Sequence, residues 1–202
     1  MNIKKMIIIS SIVLVGLITY FSITGSYNKM VYFDENIEQA WAQVENVYQR
    51  RSDLIPNLVN IVQGYADFEK STLTDIIDAR SKATSVNIDP NNLTPEKIQE
   101  FQAAQSSLGS TLSRLMMVVE KYPYLKANQG FLQLQTELEG TENRIAVERK
   151  KFNEVVQSYN KYIRRFPSNI MAGMFGFDAK EYFKADEGAN KAPIIKFSTK
   201  MK

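Results

Sequence analysis

The hydrophobic pattern of this chain changes character once. Residues 6–23 carry no charge and are filled by Ile7, Ile8, Ile9, Ile12, Val13, Leu14, Val15, Leu17 and Ile18, whereas beyond residue 28 apolar positions recur in threes and fours among polar ones. As a helix the first stretch rises about 27 Å, close to the roughly 30 Å hydrocarbon core of a bilayer. It is expected to be a transmembrane helix behind a short basic segment, residues 1–5, that holds Lys4 and Lys5. A cleaved signal peptide shares the basic start, but its apolar middle is about 7–15 residues long and ends at small residues. Thr24-Gly25-Ser26 matches that cleavage pattern poorly. Lys4 and Lys5 precede the span, and only Lys29 follows it before Asp34, Glu35 and Glu38. This asymmetry favours an amino terminus inside and the following domain outside.

Beyond the span, Trp41, Val44, Tyr48, Ile55, Leu58, Val62, Tyr65, Ile76 and Ala79 fall on one helical stripe, interrupted by the backbone breakers Pro56 and Gly64. Two readings compete there. In one, a first helix from about residue 31 to 51 ends, and a second starts with Asp53 as N-cap and Pro56 in its first turn. In the other, one helix continues through a kink at Pro56. The unbroken phase supports the kink, but about 50 continuous residues would reach about 75 Å and overhang the other helices. The balance lies with a helix break at Pro56.

Residues 85–93, with Asn87, Asp89, Pro90, Asn91 and Asn92, read as a loop, and Thr94-Pro95-Glu96 reads as N-cap, first-turn proline and dipole-matched acid. A helix with Ile98, Phe101, Leu108, Leu112, Leu115, Met116 and Val119 on one face should follow and close at Tyr122-Pro123. The longest pattern spans residues 126–165, with Phe131, Leu134, Leu138, Ile145, Phe152, Val156, Tyr159 and Ile163 on one face and Pro167 ending it. The fold class is all-α: an N-terminal transmembrane helix followed by an antiparallel up-and-down four-helix bundle with long helices. The bundle domain is assigned to residues 24–183 and a flexible C-terminal tail to residues 184–202.

Polar residues interrupt those stripes. Arg51 lies in the first seam, and Glu142, Arg149, Asn153 and Asn160 lie on or near the last. Glu142 and Arg149 stand about 10 Å apart along the axis and cannot pair with each other. Each is expected to face another helix, with Glu142 or Glu139 meeting Arg50 or Arg51, because an uncompensated buried charge would cost several kcal/mol. Together with Asp53 these residues are assigned to a structural polar network that fixes helix register. The alternative places them at the rim with their charges in water. Residues 170–183 interleave Met171, Met174, Phe175, Phe177, Tyr182 and Phe183 with Gly173 and Gly176. That surface either caps the bundle end or meets a partner or the membrane interface. Trp41 is expected in the core.

Composition closes off most chemistry. The chain has 25 Lys plus Arg against 22 Asp plus Glu, and its basic clusters, Arg50-Arg51, Arg149-Lys150-Lys151 and Arg164-Arg165, are short. A nucleic-acid partner is not expected. The chain contains no His and no Cys, so imidazole bases, thiol nucleophiles and nearly every zinc site are excluded. No catalytic residue, cofactor or metal is assigned. The alternative is an enzyme with a carboxylate site in the bundle, built on pairs such as Glu137 with Glu139 or Glu139 with Glu142.

The run Arg50-Arg51-Ser52-Asp53-Leu54-Ile55-Pro56-Asn57-Leu58-Val59, followed by Gly64-Tyr65-Ala66, resembles the signature of the LemA family of bacterial membrane proteins. Ala79-Arg80, Tyr122-Pro123-Tyr124-Leu125-Lys126-Ala127, Glu142-Asn143-Arg144-Ile145-Ala146 and Phe175-Gly176-Phe177 resemble further blocks in family order. Phe152 departs from the Tyr often found before the Asn, which removes one hydroxyl. The resemblance implies an amino-terminal membrane helix, a four-helix bundle and no established catalysis or cofactor. A description of such proteins as signalling kinases does not carry over, since phosphotransfer of that type needs a His. The expected function is a non-catalytic scaffold or adaptor of the bacterial envelope, single-pass in the cytoplasmic (inner) membrane. Its partners would be membrane lipid through the N-terminal helix and unidentified envelope proteins, with homo-oligomerisation left open.

Overall fold

The computed structural model describes residues 3–65, 69–89 and 93–184. Its elements are α1 (Ile3–Gln63), α2 (Lys70–Ser85), α3 (Pro95–Val119), the single turn α4 (Pro123–Lys126), α5 (Gln129–Ile163) and α6 (Ser168–Phe175). The expected flexible tail lies, from residue 185 onward, outside the described residues, as do Pro90, Asn91 and Asn92 of the expected loop.

α1 is 61 residues long and therefore about 92 Å from end to end. Its first turns carry nothing against them: Ile7, Ile12, Leu14, Val15 and Ile18 are all exposed. This stretch makes α1 the one helix, among the described residues, long and apolar enough to cross a membrane. The hydroxyls of Ser11, Thr19 and Thr24 donate to the carbonyls of Ile7, Val15 and Tyr20 at 2.9 Å, so these three polar side chains are satisfied within the helix. Burial begins at Met30.

From Met30 onward α1 is the central strut of the bundle. Phe33 stacks near Tyr162 while Arg51 reaches Glu142, so α1 and α5 run antiparallel. Asp75 pairs with Arg114, and the Gln105 side chain reaches the Ala83 carbonyl, so α2 and α3 are antiparallel as well. Helix starts follow local chemistry: the Thr94 side chain accepts from the Lys97 amide, and the Asn128 side chain accepts from the Phe131 amide. The residues after α6 turn through Gly176, whose φ of 74° is the left-handed conformation that favours glycine.

The core is divided in two. Away from the anchor, Ile55, Leu58 and Val62 of α1 pack with Ile76 of α2, Leu108 and Leu115 of α3, Leu125 and Phe131. Near the anchor, Met30, Ile37, Trp41 and Val44 pack with Ile88, Phe101, Phe152, Val156, Tyr159 and Phe183. Trp41 is fully buried, as its place in the stripe requires.

The expected break at Pro56 is corrected by the structure. Pro56 lies inside α1, and the first helix ends at Gln63, where Gly64 and Tyr65 turn the chain. The overhang that argued for a break does not arise, because the early residues of α1 are the anchor and the remainder matches α5 in length. Asp53 is accordingly not an N-cap; it sits on the exposed face of α1 and accepts a hydrogen bond from Gln49 Nε2 at 2.7 Å. The proline still leaves a defect: it has no amide hydrogen for the carbonyl of Ser52, four residues back. Arg80 of α2 repairs it, its Nε donating to the Ser52 oxygen at 2.9 Å.

Candidate functional site

Where the two halves of the core meet, one polar layer crosses the bundle. Arg51 is 3% exposed and sits one turn after Tyr48 and one turn before Ile55 on the buried face of α1. Its Nη1 donates to Glu142 Oε2 at 3.0 Å, and its Nη2 donates to the Gln105 carbonyl at 3.1 Å and to Gln105 Oε1 at 2.6 Å. The guanidinium also lies 5.1 Å from the ring centroid of Tyr48. Gln105 in turn donates to the Ala83 carbonyl at 3.2 Å, so this layer ties α1, α2, α3 and α5 together. Glu142 is 61% exposed, so the positive charge is buried while its counter-charge stays in water.

The other polar residues of α5 do something else. Arg149 is expected to face a neighbouring helix and Asn153 and Asn160 to join the register-fixing network; the structure turns all three to the extended segment after α6. Asn160 donates to the Lys180 carbonyl at 2.8 Å and accepts from the Lys180 amide at 2.9 Å. Asn153 holds Phe183 in the same way, at 3.0 and 2.9 Å. Gln102 of α3 holds Lys184, donating at 2.7 Å and accepting at 3.4 Å. A side-chain amide offers a donor and an acceptor side by side, the arrangement a neighbouring β-strand would present. Arg149 adds a bond to the Lys184 carbonyl at 2.7 Å and lies 5.2 Å from the Phe183 ring centroid. Tyr159 donates to the Asp178 carbonyl at 2.9 Å. Burial, and then the carboxylates of Asp34 and Asp178, raise its phenol above the usual range, which keeps the hydroxyl protonated.

Backbone clamps hold any sequence; the ring of Phe183 gives this one its identity. It stacks on Trp41 at 8° and 5.8 Å and meets Phe152 edge-on at 5.3 Å. Lys180 Nζ stands 3.0 Å from Asp34 Oδ1, an ion pair without hydrogen-bond alignment. The apolar set expected to form a single surface therefore divides. Phe183 is buried, Met171 and Phe177 are partly buried against the core, and Met174, Phe175 and Tyr182 remain exposed.

Between α3 and α5 runs an open groove of about 800 Å³, with Arg51 on its floor, Ser106, Gly109 and Ser113 on one wall and Leu138 and Glu139 on the other. Of the carboxylates weighed for catalysis, Glu139 and Glu142 line this groove and Glu137 does not. Glu137 accepts from Gln133 and Glu139 from Gln135 along the surface of α5, while Glu142 turns to Arg51. Among the described residues no group of three His, Cys, Asp or Glu side chains could hold a metal ion.

Sequence reading missed Gln105, Gln102 and the tie between Arg80 and Ser52. Gln105 was findable, for it falls between Phe101 and Leu108 in the apolar stripe of α3, the same signal that singled out Arg51. Gln102 and Arg80 gave none, since each looks like an ordinary polar face residue until its partner is placed.

The LemA family profile matches residues 40–197. Magnetosome protein MamQ of Magnetospirillum gryphiswaldense is 28% identical, over 96% of this chain and 76% of its own length. Magnetosome protein MamQ 2 of Paramagnetospirillum magneticum is 28% identical over 84% and 68%, respectively. Protein LemA of Metamycoplasma hominis is 28% identical over 92% of this chain and 81% of its own length.

Proposed function

This chain belongs to the LemA family, and from that premise we propose that it is a non-catalytic scaffold or adaptor, held in the cytoplasmic membrane of a bacterium by α1 and presenting its bundle on the outer side. The observation that carries the reading is the continuity of α1. One helix is both the exposed apolar span and the central strut of the core, with no linker between them. A domain joined in this way cannot swivel freely on its anchor, so its surfaces keep a fixed height and direction relative to the lipid. That property suits a protein that gathers others at a membrane and is of little use to a diffusing catalyst. The polar groups support the same reading, because Arg51, Gln105, Asn153 and Asn160 are spent on internal bonds. Relatives whose names place them in the magnetosome and a relative from a mycoplasma support a frame reused in different settings.

Crosslinking in native membranes followed by mass spectrometry tests the scaffold role. Recurrent neighbours crosslinked to the bundle are expected, and a chain that crosslinks to nothing but itself at random positions would overturn it. Protease treatment of intact spheroplasts tests the side: cleavage of the bundle without lysis is expected.

A further inference from the structure

α6 is built inside out for a helix of a soluble domain. The residues it buries are small, Ser168 and Ala172. The large apolar ones face away: Phe166 just before it is 81% exposed, Ile170 49% and Met174 67%. Ile170 and Met174, four apart, share one outward side of the helix, and Phe166 is exposed just ahead of its first turn. Phe175 is also exposed. A solvated apolar surface of this kind is an unmet contact.

Its position says what it meets. Phe175 and Phe177 lie edge-on to Tyr27, with ring centroids 5.0 and 5.7 Å apart. Tyr27 follows the last residue of the apolar span, Ile23, by about 6 Å along α1. The headgroup zone on each side of the hydrocarbon core is about 5–7 Å deep, so α6 stands at headgroup height whenever α1 spans the bilayer. The charge agrees. From residue 161 to 177 the chain has Lys161, Arg164 and Arg165 and no acid. All three cations are exposed, as is Lys29 on the neighbouring face of α1. Large apolar residues on one side and cations beside them are the composition of an element that lies in the interface of an anionic membrane.

We propose that α6 and the Arg164-Arg165-Phe166 corner form a second membrane contact, which inserts Phe166, Ile170 and Met174 among the lipid headgroups beside α1. Two contacts on one rigid body fix its tilt as well as its height. The bundle is thus held at a set angle to the surface, and the groove between α3 and α5 is offered in one direction.

The inference rests on α1 being a membrane anchor, and the chain's lack of cysteine allows both to be tested separately. Full-length Val15→Cys, Met174→Cys and Tyr124→Cys variants would each carry an environment-sensitive fluorophore in phosphatidylcholine vesicles with and without phosphatidylglycerol. Tyr124 is 87% exposed and lies at the far end of the bundle, so its variant is the aqueous control. Headgroup-level nitroxide lipid is expected to quench the label at 174 several-fold more than the label at 124. The excess should grow with phosphatidylglycerol and shrink in Arg164→Glu/Arg165→Glu, while the label at 15 responds only to deep nitroxide. A label at 174 as open to iodide as the one at 124, with the label at 15 still protected, would overturn the second contact and leave the anchor standing. A label at 174 shielded from iodide but not quenched by lipid would also overturn it, in favour of a protein contact. If the label at 15 is open to iodide too, the anchor reading itself fails.

Discussion

The Nε of Arg80 lies 2.9 Å from the carbonyl oxygen of Ser52, the oxygen whose helical donor is missing because the residue four positions on is a proline. Ser52 is 2% exposed, so water does not replace that donor. A helix that would otherwise carry an unsatisfied group in its middle instead runs on, and with it the rigid link between anchor and bundle. Arg80→Ala should cost about 1–3 kcal/mol, the range for orphaning a buried acceptor. In a Pro56→Ala background the restored amide takes over, and the cost should drop by at least about 1 kcal/mol. Urea titration of the four proteins of this cycle in detergent measures the coupling; additive effects would refute it.

The polar layer should be lopsided. Gln105→Ala removes the side-chain oxygen that accepts from the buried Arg51 guanidinium and the donor to the Ala83 carbonyl, leaving only the backbone carbonyl of residue 105 for Arg51 Nη2, and should destabilise by about 1.5–3 kcal/mol. Glu142→Gln removes a mostly exposed partner, and about 0–1 kcal/mol is expected. The same titrations check the ranking, and a larger loss at Glu142 would reverse it.

Phe183 closes the anchor-proximal core, so Phe183→Ala should cost about 3–5 kcal/mol. Because its ring stacks on Trp41, the sole tryptophan, emission should also shift to the red. Removal of everything after Arg165 should do both more severely. Asn153→Ala, which frees the Phe183 amide and carbonyl, is expected to cost about 1–3 kcal/mol with a smaller spectral change.

Tyr159 predicts an alkaline weakness. Its folded pKa is raised, chiefly by burial, while the unfolded phenol titrates near its ordinary value of about 10. The unfolded chain therefore releases this proton first, so the stability present below about pH 10 falls as pH rises beyond it. Tyr159→Phe should be less stable near neutrality by about 1 kcal/mol, through loss of the bond to Asp178. It should also show a shallower decline above pH 10, as thermal melts across that range would reveal.

Periodicity settled more here than chemistry did. The apolar run, the stripes of α3 and α5 and the cap at Thr94 are local properties, written in neighbouring residues, and the helices form where those signals lie. Arg51 and Glu142 were legible as polar interruptions of a seam, because a buried charge needs a partner wherever it falls. Pro56 was misread for a reason that is equally physical. A proline's effect on a helix depends on whether something else satisfies the freed carbonyl, and that donor, Arg80, comes from a helix whose placement no local pattern specifies.

The amino-acid sequence by itself determined the helices, their apolar faces and the charge-free anchor, since each depends on residues a few positions apart. Only the tertiary structure decided that α1 continues unbroken, that Asn153 and Asn160 clamp a distant backbone and that α6 turns its large side chains outward beside Tyr27. Those outcomes depend on groups far apart in the chain meeting at hydrogen-bond distance, and which of the many polar residues will meet is fixed by packing rather than by period.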